Sequence, residues 1–378
     1  MGGEVLMRIL LAHNRSLERP TGIISHIRNL ARELTKRGHE VEVVTKGKSM
    51  HFVQDEVEYC QYARIPISVK GFDVVHAHDI RTSLLLTRDK MPSICRIITS
   101  HGVYPDPSFH PRPWQSASVT GNAKINLHLN AVRIIGFVAF RTCDKVIAVS
   151  KFIKNKLEET YSLCGSKIVI IPNGINIEEF SRPSFDNLEK KWDLGKNAIL
   201  FVKPYDPRKG FHLMIKALQE VRQDFPHFTL IAVGPRPDGK YGEYIERLIY
   251  NSDIKKNIIF TGWVYGEDLI SLYHQSDFVA MPSVYEAFGI TALEAAACSK
   301  PVVGFRIGGL KEVVEDKKTG ILVVPNDINA LAHWTRVLLE DRELCKALGS
   351  NARRKARKYE WTRIAAIVEE IYKSVALE

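Results

Sequence analysis

No apolar run in the chain reaches the ~18 residues that a membrane-spanning helix needs, and the longest candidates are strand-sized. The opening MGGEVLMRILLAH has no basic leader, long apolar core or small-residue cleavage site, so no secretory signal is expected. Six cysteines (Cys60, Cys95, Cys143, Cys164, Cys298 and Cys345) are scattered without C-x-x-C spacing. That argues against a zinc ribbon or a disulfide framework and for free, mostly buried thiols of a cytoplasmic protein. Low-complexity segments and short repeats are missing, as is any basic patch interleaved with aromatics; a nucleic-acid partner is therefore not expected.

What the chain does have is length and positive charge. At 378 residues it exceeds one ordinary core, and two domains of about 150–200 residues are expected. The net charge is +10, with a basic surplus of 7 in residues 1–180 and 3 in residues 181–378. A solvated basic surface accounts for this. So does an anionic partner for the first half, such as a phospholipid headgroup or a phosphorylated acceptor.

Short apolar strands alternate with helical periodicity. Arg8–His13, Val41–Thr45, Asp73–His76, Ile94–Thr99, Lys145–Val149 and Ile168–Ile171 read as strands. The stretch from Ile24 to Gly38 between the first two reads as a helix with a glycine stop. The alternation restarts with Ala198–Lys203, Phe228–Val233, Ile258–Thr261, Phe278–Met281, Pro301–Gly304 and Gly320–Val324. Such β-α-β alternation predicts parallel sheets covered on both faces. The polar stretch Ile177–Lys196 separates the halves. The expected domains are 1–178, 179–360 and a terminal helix, 361–378, packing back on the body. Trp361, Ile364, Ile367 and Ile371 are expected on its buried face.

The stretch PSVYEAFGITALEAAACSKPVVGF, Pro282 to Phe305, carries two glutamates, Glu286 and Glu294, eight residues apart. A helix is expected from about Gly289 through Ala297. Glu286 then sits at the mouth of a loop after a strand, and Glu294 lies within the helix. Eight residues of helix rise ~12 Å at most, about the span from the sugar to the ribose of a nucleotide sugar. The helix N-terminus suits an anion, and Gly289 permits close backbone approach. The plain alternatives are a first-turn glutamate favoured by the helix dipole and a solvated helix residue. The alanine-rich setting of Glu294 weighs against the second.

PSVYEAFGITALEAAACSKPVVGFRIGGLKEVV closely resembles the E-x(7)-E region of the retaining glycosyltransferases of family 4. The resemblance covers nearly the whole chain, in the family's order, through RILLAH…TGIISHIRNLARELTKRGHEVEVVT, FDVVHAHD, IITSHGVY, KVIAVSKFIKNKL, KIVIIPNGINIEEF, DPRKG, LIAVGP and TGILVVPND. It implies an α/β GT-B fold, two Rossmann-like doubly wound domains facing each other across a cleft. The N-terminal domain would bind the acceptor and the C-terminal domain the donor. It further implies a retaining, metal-independent hexosyltransferase with no cofactor. The donor would be a nucleotide-diphospho-sugar (UDP- or GDP-sugar) and the acceptor a glycan or a lipid phosphate. Peripheral contact with the inner face of a membrane is a further expectation.

By the resemblance, Glu286 binds hydroxyls of the transferred sugar and Glu294 holds the ribose. Backbone amides of Phe288, Gly289, Ile290 and Thr291 cradle the diphosphate, and Lys209 pairs with its phosphates. His101 lies beside the reacting sugar; His101, Glu286 and Lys209 are thus the expected catalytic residues. Gly262, Trp263 and Val264 meet the nucleobase, and Gly22 belongs to a glycine loop facing the phosphates. Gly308, Gly309 and Glu312 form a supporting turn. The chain departs from the family at two places. Pro204 stands where a second phosphate-binding arginine is usual, leaving Lys203 or Arg208 to substitute, and Gly22 has no glycine partner beside it. These departures keep a non-catalytic nucleotide-sugar-binding subunit open, alongside a GT-B epimerase or phosphorylase. His76 reads as strand-end packing and Asp79 as a helix cap; His13 and His26 fall near the expected cleft. Val103–Asn122, rich in proline and aromatics, reads as a long loop that shapes the acceptor site or touches a membrane.

Overall fold

The computed structural model describes residues 6–18, 21–63, 68–86, 94–103, 119–182, 197–202, 205–236 and 238–376. These residues gather into two compact units. The first draws on Met1–Pro105, Ala117–Gly174 and Tyr359–Glu378, and the second on Ile175–Lys358.

In the first unit, β1 (Arg8–His13), β2 (Glu40–Lys46), β3 (Met50–Gln54), β4 (Val57–Tyr62), β5 (Val74–Ala77), β6 (Cys95–Ser100), β7 (Lys145–Ala148) and β8 (Ile168–Ile170) form one sheet. Its order is β3-β4-β2-β1-β5-β6-β7-β8, parallel except for the β3–β4 pair. Helices α1 (Gly22–Thr35), α2 (Ile80–Leu86), α3 (Val119–Thr142) and α4 (Lys151–Tyr161) provide crossovers. Thr21 caps α1, its hydroxyl accepting from the Ile24 amide. Ile24, Ile27, Leu30, Ala31 and Leu34 recur at helical spacing and are buried. The helix thus starts two residues before the expected Ile24, and Gly38 falls in the turn beyond its end, at φ +91°.

The β3–β4 hairpin was not expected from the sequence. Asp55 and Glu56 turn it, both at positive φ (53° and 62°). That geometry usually selects Asn-Gly or Asp-Gly, so the composition carried no turn signal. The N-terminal part of the expected loop Val103–Asn122 lies mostly outside the described residues. Its last four residues, Val119–Asn122, belong to α3 instead.

In the second unit, β9 (Ala198–Val202), β10 (Thr229–Val233), β11 (Ile258–Gly262), β12 (Phe278–Met281), β13 (Val302–Phe305) and β14 (Gly320–Val323) form a wholly parallel sheet. Its order, β11-β10-β9-β12-β13-β14, is the doubly wound 3-2-1-4-5-6 arrangement. Eight helices accompany it among the described residues. They are α5 (Ile177–Phe180), α6 (Phe211–Asp224), α7 (Gly239–Tyr250), α8 (Gly266–Gln275), α9 (Ile290–Ala297), α10 (Leu310–Val313), α11 (Ile328–Glu340) and α12 (Arg342–Ala356). The strands are nearly all apolar because both faces are covered.

The last helix, α13 (Trp361–Ala376), packs within the first unit against α1 and β6. Its buried stripe is Trp361, Ile364, Ala365, Val368 and Tyr372. Ile367 lies off that stripe and is exposed, contrary to expectation: at 100° per residue it points about 120° away from Trp361. Arg37 ties the helix down through Glu369 at 3.2 Å and the Thr362 carbonyl at 2.7 Å. Tyr372 is fully buried, and its hydroxyl bonds His76 Nδ1 at 2.6 Å. Tyr372→Phe strands that nitrogen and should cost about 1–3 kcal/mol, read by denaturant unfolding; an unchanged midpoint would show that the bond contributes nothing.

Candidate active site

Strands β9 and β12 are neighbours at the centre of the second sheet, where the winding direction reverses. Ligands of doubly wound sheets bind beyond the C-terminal ends of strands at such a point. The loop after β9 closes in a short turn, Pro207–Lys209, capped by Asp206, whose Oδ1 accepts from the Arg208 amide at 2.9 Å. Arg208 folds its guanidinium onto the same carboxylate, Nε to Oδ1 at 2.8 Å. The loop after β12 is bound to this turn through the Val284 amide and the Arg208 carbonyl, 2.8 Å apart. The result is a direct contact: Lys209 Nζ lies 3.2 Å from Glu286 Oε2. Glu286 is only 8% exposed. An expected phosphate-binding cation and an expected sugar-binding carboxylate, 77 residues apart, meet at the reversal point.

Helix α9 begins just beyond Phe288. Gly289 caps it at φ +107°, a left-handed conformation that favours glycine, and its carbonyl accepts from Ala292 and Leu293. The first amides of a helix have no intrahelical acceptor, so Ile290 and Thr291 present an anion-favouring end. Thr291 Oγ1 also reaches the Val202 carbonyl at 3.4 Å, linking the helix to the end of β9. Further along, Glu294 Oε2 accepts from the Tyr273 hydroxyl at 2.6 Å. Burial, and then the Glu294 charge, push the Tyr273 hydroxyl well above the usual tyrosine range, so it remains a donor. Glu294 is therefore a fixed acceptor, unlike a solvated helix residue. No local pattern in the sequence linked it to Tyr273.

A third strand end buttresses Glu286. The Gly309 amide donates to the Glu286 carbonyl at 2.8 Å. A Cβ on Gly308 would fall 2.1 Å from the Glu286 carbonyl oxygen, and one on Gly309 2.2 Å from that of Ala287. Gly262, Trp263 and Val264 lie at the end of β11, two strands out from β9. The Gly262 carbonyl accepts from Gly234. Val264 is buried, whereas Trp263 is 51% exposed and stacks on Tyr265 with centroids 5.7 Å apart. Lys203 and Pro204 lie outside the described residues.

Gly22 and His101 belong to the first unit. Gly22 is the exposed first residue of α1. His101 follows β6 and joins a group of histidines from four elements. His101 Nε2 is 3.3 Å from His78 Nδ1. The His26 ring meets both edge-on, with centroids 4.8 Å from His101 and 5.2 Å from His78. His76 stacks on His78 and bonds Thr99 Oγ1 at 2.6 Å through Nε2. His13 Nδ1 lies 3.0 Å from Asp79 Oδ2, and Asp79 caps α2 through the Arg81 and Thr82 amides. Burial lowers the His26 pKa to about 4, against an opposing bond from Asn173, and that of His76 to about 3. It also carries His78 and His101 well below the usual histidine range, assisted by the neighbouring histidines. Asp79 falls to about 2 because bonds from His13 and Thr82 outweigh its burial.

The family Glycosyltransferase Family 4 matches residues 61–179, and Glycosyl transferases group 1 matches residues 184–355. A glycosyltransferase of Methanocaldococcus jannaschii, itself uncharacterised, is 33% identical over 82% of this chain and 78% of its own length. The chain belongs to the group 1, family 4 glycosyltransferases. A D-inositol 3-phosphate glycosyltransferase of Corynebacterium urealyticum is 33% identical over 58% of this chain and 54% of its own. Among solved structures, sucrose-phosphate synthase of Thermosynechococcus elongatus superposes with a TM-score of 0.78, at 20% identity over 98% and 99% of the chains. Anabaena HepE, solved with UDP and glucose, gives 0.76 at 21% identity over 97% and 100%. These likenesses and the two parallel sheets establish the GT-B fold. Among the described residues of this glycosyltransferase no helix is long and apolar enough to cross a membrane.

Two outcomes follow for this glycosyltransferase. Gly309→Ala must displace the Glu286 loop; misplacement by about 1 Å can cost on the order of 100-fold in rate, so transfer should fall while the melting point of the first unit holds. The second concerns acid. His26, His76, His78 and His101 have folded pKa values below those of the unfolded chain, so the unfolded state takes up protons first. Their contribution is complete above about pH 6.5 and should decline toward pH 4 by about 1 kcal/mol per pH unit for each histidine. Urea midpoints across pH 4–7 measure this; a flat profile would mean that the rings are already hydrated.

Proposed function

We propose that this glycosyltransferase moves a hexose from a nucleoside-diphosphate sugar, UDP- or GDP-linked, to a glycan or lipid-phosphate acceptor, with retention and without a metal. The observation that carries the reading is the contact of Lys209 with Glu286 at the reversal point, beside the N-terminus of α9. HepE, whose structures hold UDP, UDP-glucose, or UDP and glucose, supports the choice of donor class. Breaking the glycosidic bond leaves growing negative charge on the diphosphate. Lys209 and the first amides of α9 are fixed donors for that charge, which is where a preorganised site lowers the barrier. Glu286 accepts from sugar hydroxyls, and Glu294, held by Tyr273, accepts from the ribose. His101 is the residue assigned to the reacting sugar by resemblance to the family, and the first unit is the proposed acceptor domain.

The test is a panel of nucleoside diphosphates and their sugars, scored by thermal stabilisation and by the anomer formed in a transfer assay. One nucleotide sugar should raise the melting point, and Glu294→Ala should abolish the shift. Lys209→Ala should lower kcat by roughly 100- to 1,000-fold, and chelators should not reduce transfer. If no nucleotide or nucleotide sugar shifts the melting point, the donor assignment is overturned; an inverted product overturns retention.

A further inference from the structure

His26, His78 and His101 come from α1, the end of β5 and the end of β6, and each offers a ring nitrogen within 4.8 Å of the other two. His78 Nδ1 and His101 Nε2 are 3.3 Å apart. That is long for an N–H···N bond. It matches the edge of a tetrahedron with zinc–nitrogen bonds of about 2.0–2.1 Å, for which the nitrogen separation is about 3.3 Å. His26 and His78 are buried. The Trp361 ring, edge-on at 5.0 Å, helps to fix His26. The torsion that turns an imidazole about its Cβ–Cγ bond is soft, so nitrogens within 4.8 Å of one another need only small adjustments to share one ion.

We infer that His26, His78 and His101 form a site for one borderline-soft divalent cation, with Zn2+ as its type. Neutral imidazole is the ligating form. Three imidazoles leave a coordination position for water or an oxygen ligand, and the all-nitrogen set disfavours Mg2+ and Ca2+. This cation plays no part in the transfer chemistry proposed above. If His101 acts as that reading has it, the metal withdraws His101 from the sugar and zinc inhibits transfer. That consequence rests on the functional reading; binding itself does not.

Binding is tested on the full, untagged chain by calorimetric titration with Zn2+, with Mg2+ as the contrast, and by X-ray absorption at the zinc edge. The expected result is about one equivalent of zinc with a nitrogen-only protein shell and no Mg2+ binding. His26→Gln and His78→Gln should each weaken zinc at least the roughly 10- to 100-fold that loss of a supporting partner costs elsewhere. A second histidine-containing cluster, His51, Glu58 and Cys60, includes a thiol. A sulfur shell at about 2.3 Å, or loss of binding in His51→Gln alone, would place the metal there and overturn the assignment. So would the absence of zinc binding to the wild-type chain. The wild-type spectrum decides the question even where a histidine variant fails to fold. Zinc binding without inhibition would remove His101 from the reaction and leave the metal site standing.

Discussion

Three backbone strands pass so close together beyond β9, β12 and β13 that side chains are excluded. A Cβ on Gly210 would lie 1.9 Å from the Pro282 carbonyl oxygen, and Gly308 and Gly309 are pressed equally hard against Glu286 and Ala287. This approach, more than any side-chain contact, fixes where Glu286 stands relative to Lys209. The ion pair could not do so by itself. Two charges 4 Å apart near a protein surface attract by about 4 kcal/mol, but partial burial removes most of that through desolvation. A pair with a small net energy follows the backbone that carries it. The amide bonds from Val284 to Arg208 and from Gly309 to Glu286 complete the frame. On the proposed reading, a donor phosphate would compete with Glu286 for the Lys209 ammonium group, and that exchange of partners needs no movement of the loops.

Much of this could be read from the chain. Every strand anticipated in both halves exists, within a residue or two at its ends, because parallel strands buried on both faces are continuous apolar runs. The helix from Gly289 through Ala297 was equally legible, since Gly289 marks its start and the alanines sustain it. The β3–β4 hairpin was not, because Asp55-Glu56 occupies a turn that favours glycine, and an exposed edge strand lacks a core pattern. Ile367 was misplaced because four apolar residues were grouped without resolving their angles. The partners of the site were hidden for another reason. Tyr273 bonds Glu294 across 21 residues, and Lys209 meets Glu286 across 77. Such contacts depend on which strands become neighbours, which no local periodicity encodes.

The terminal helix α13 shows how far sequence distance can mislead. Read in order, it follows the second unit; in space it completes the core of the first. Trp361 packs where Gly174 leaves no room for a Cβ, which would fall 2.4 Å from the indole. Eleven residues on, Tyr372 reaches the sheet and bonds His76. The first unit therefore closes only when Trp361–Ala376 is in place, and its folding cannot finish before that segment has been made.

That closure bears on the histidines as a group. His76 is satisfied on both nitrogens, by Tyr372 and Thr99, and so has neither a free donor nor a free acceptor for its neighbours. Stacked on His78 at 4.3 Å, it acts as a wall rather than as a partner. His78 turns Nδ1 forward to His101 Nε2, 3.3 Å away. The orientation of His101 is thus determined by an order that begins at the C-terminal helix, passes through a ring that cannot exchange partners, and ends at the one histidine in the chain of contacts that is only partly buried. A group placed in this way can be aimed with little loss of entropy when something binds it, and that holds equally for a sugar hydroxyl and for a metal ion.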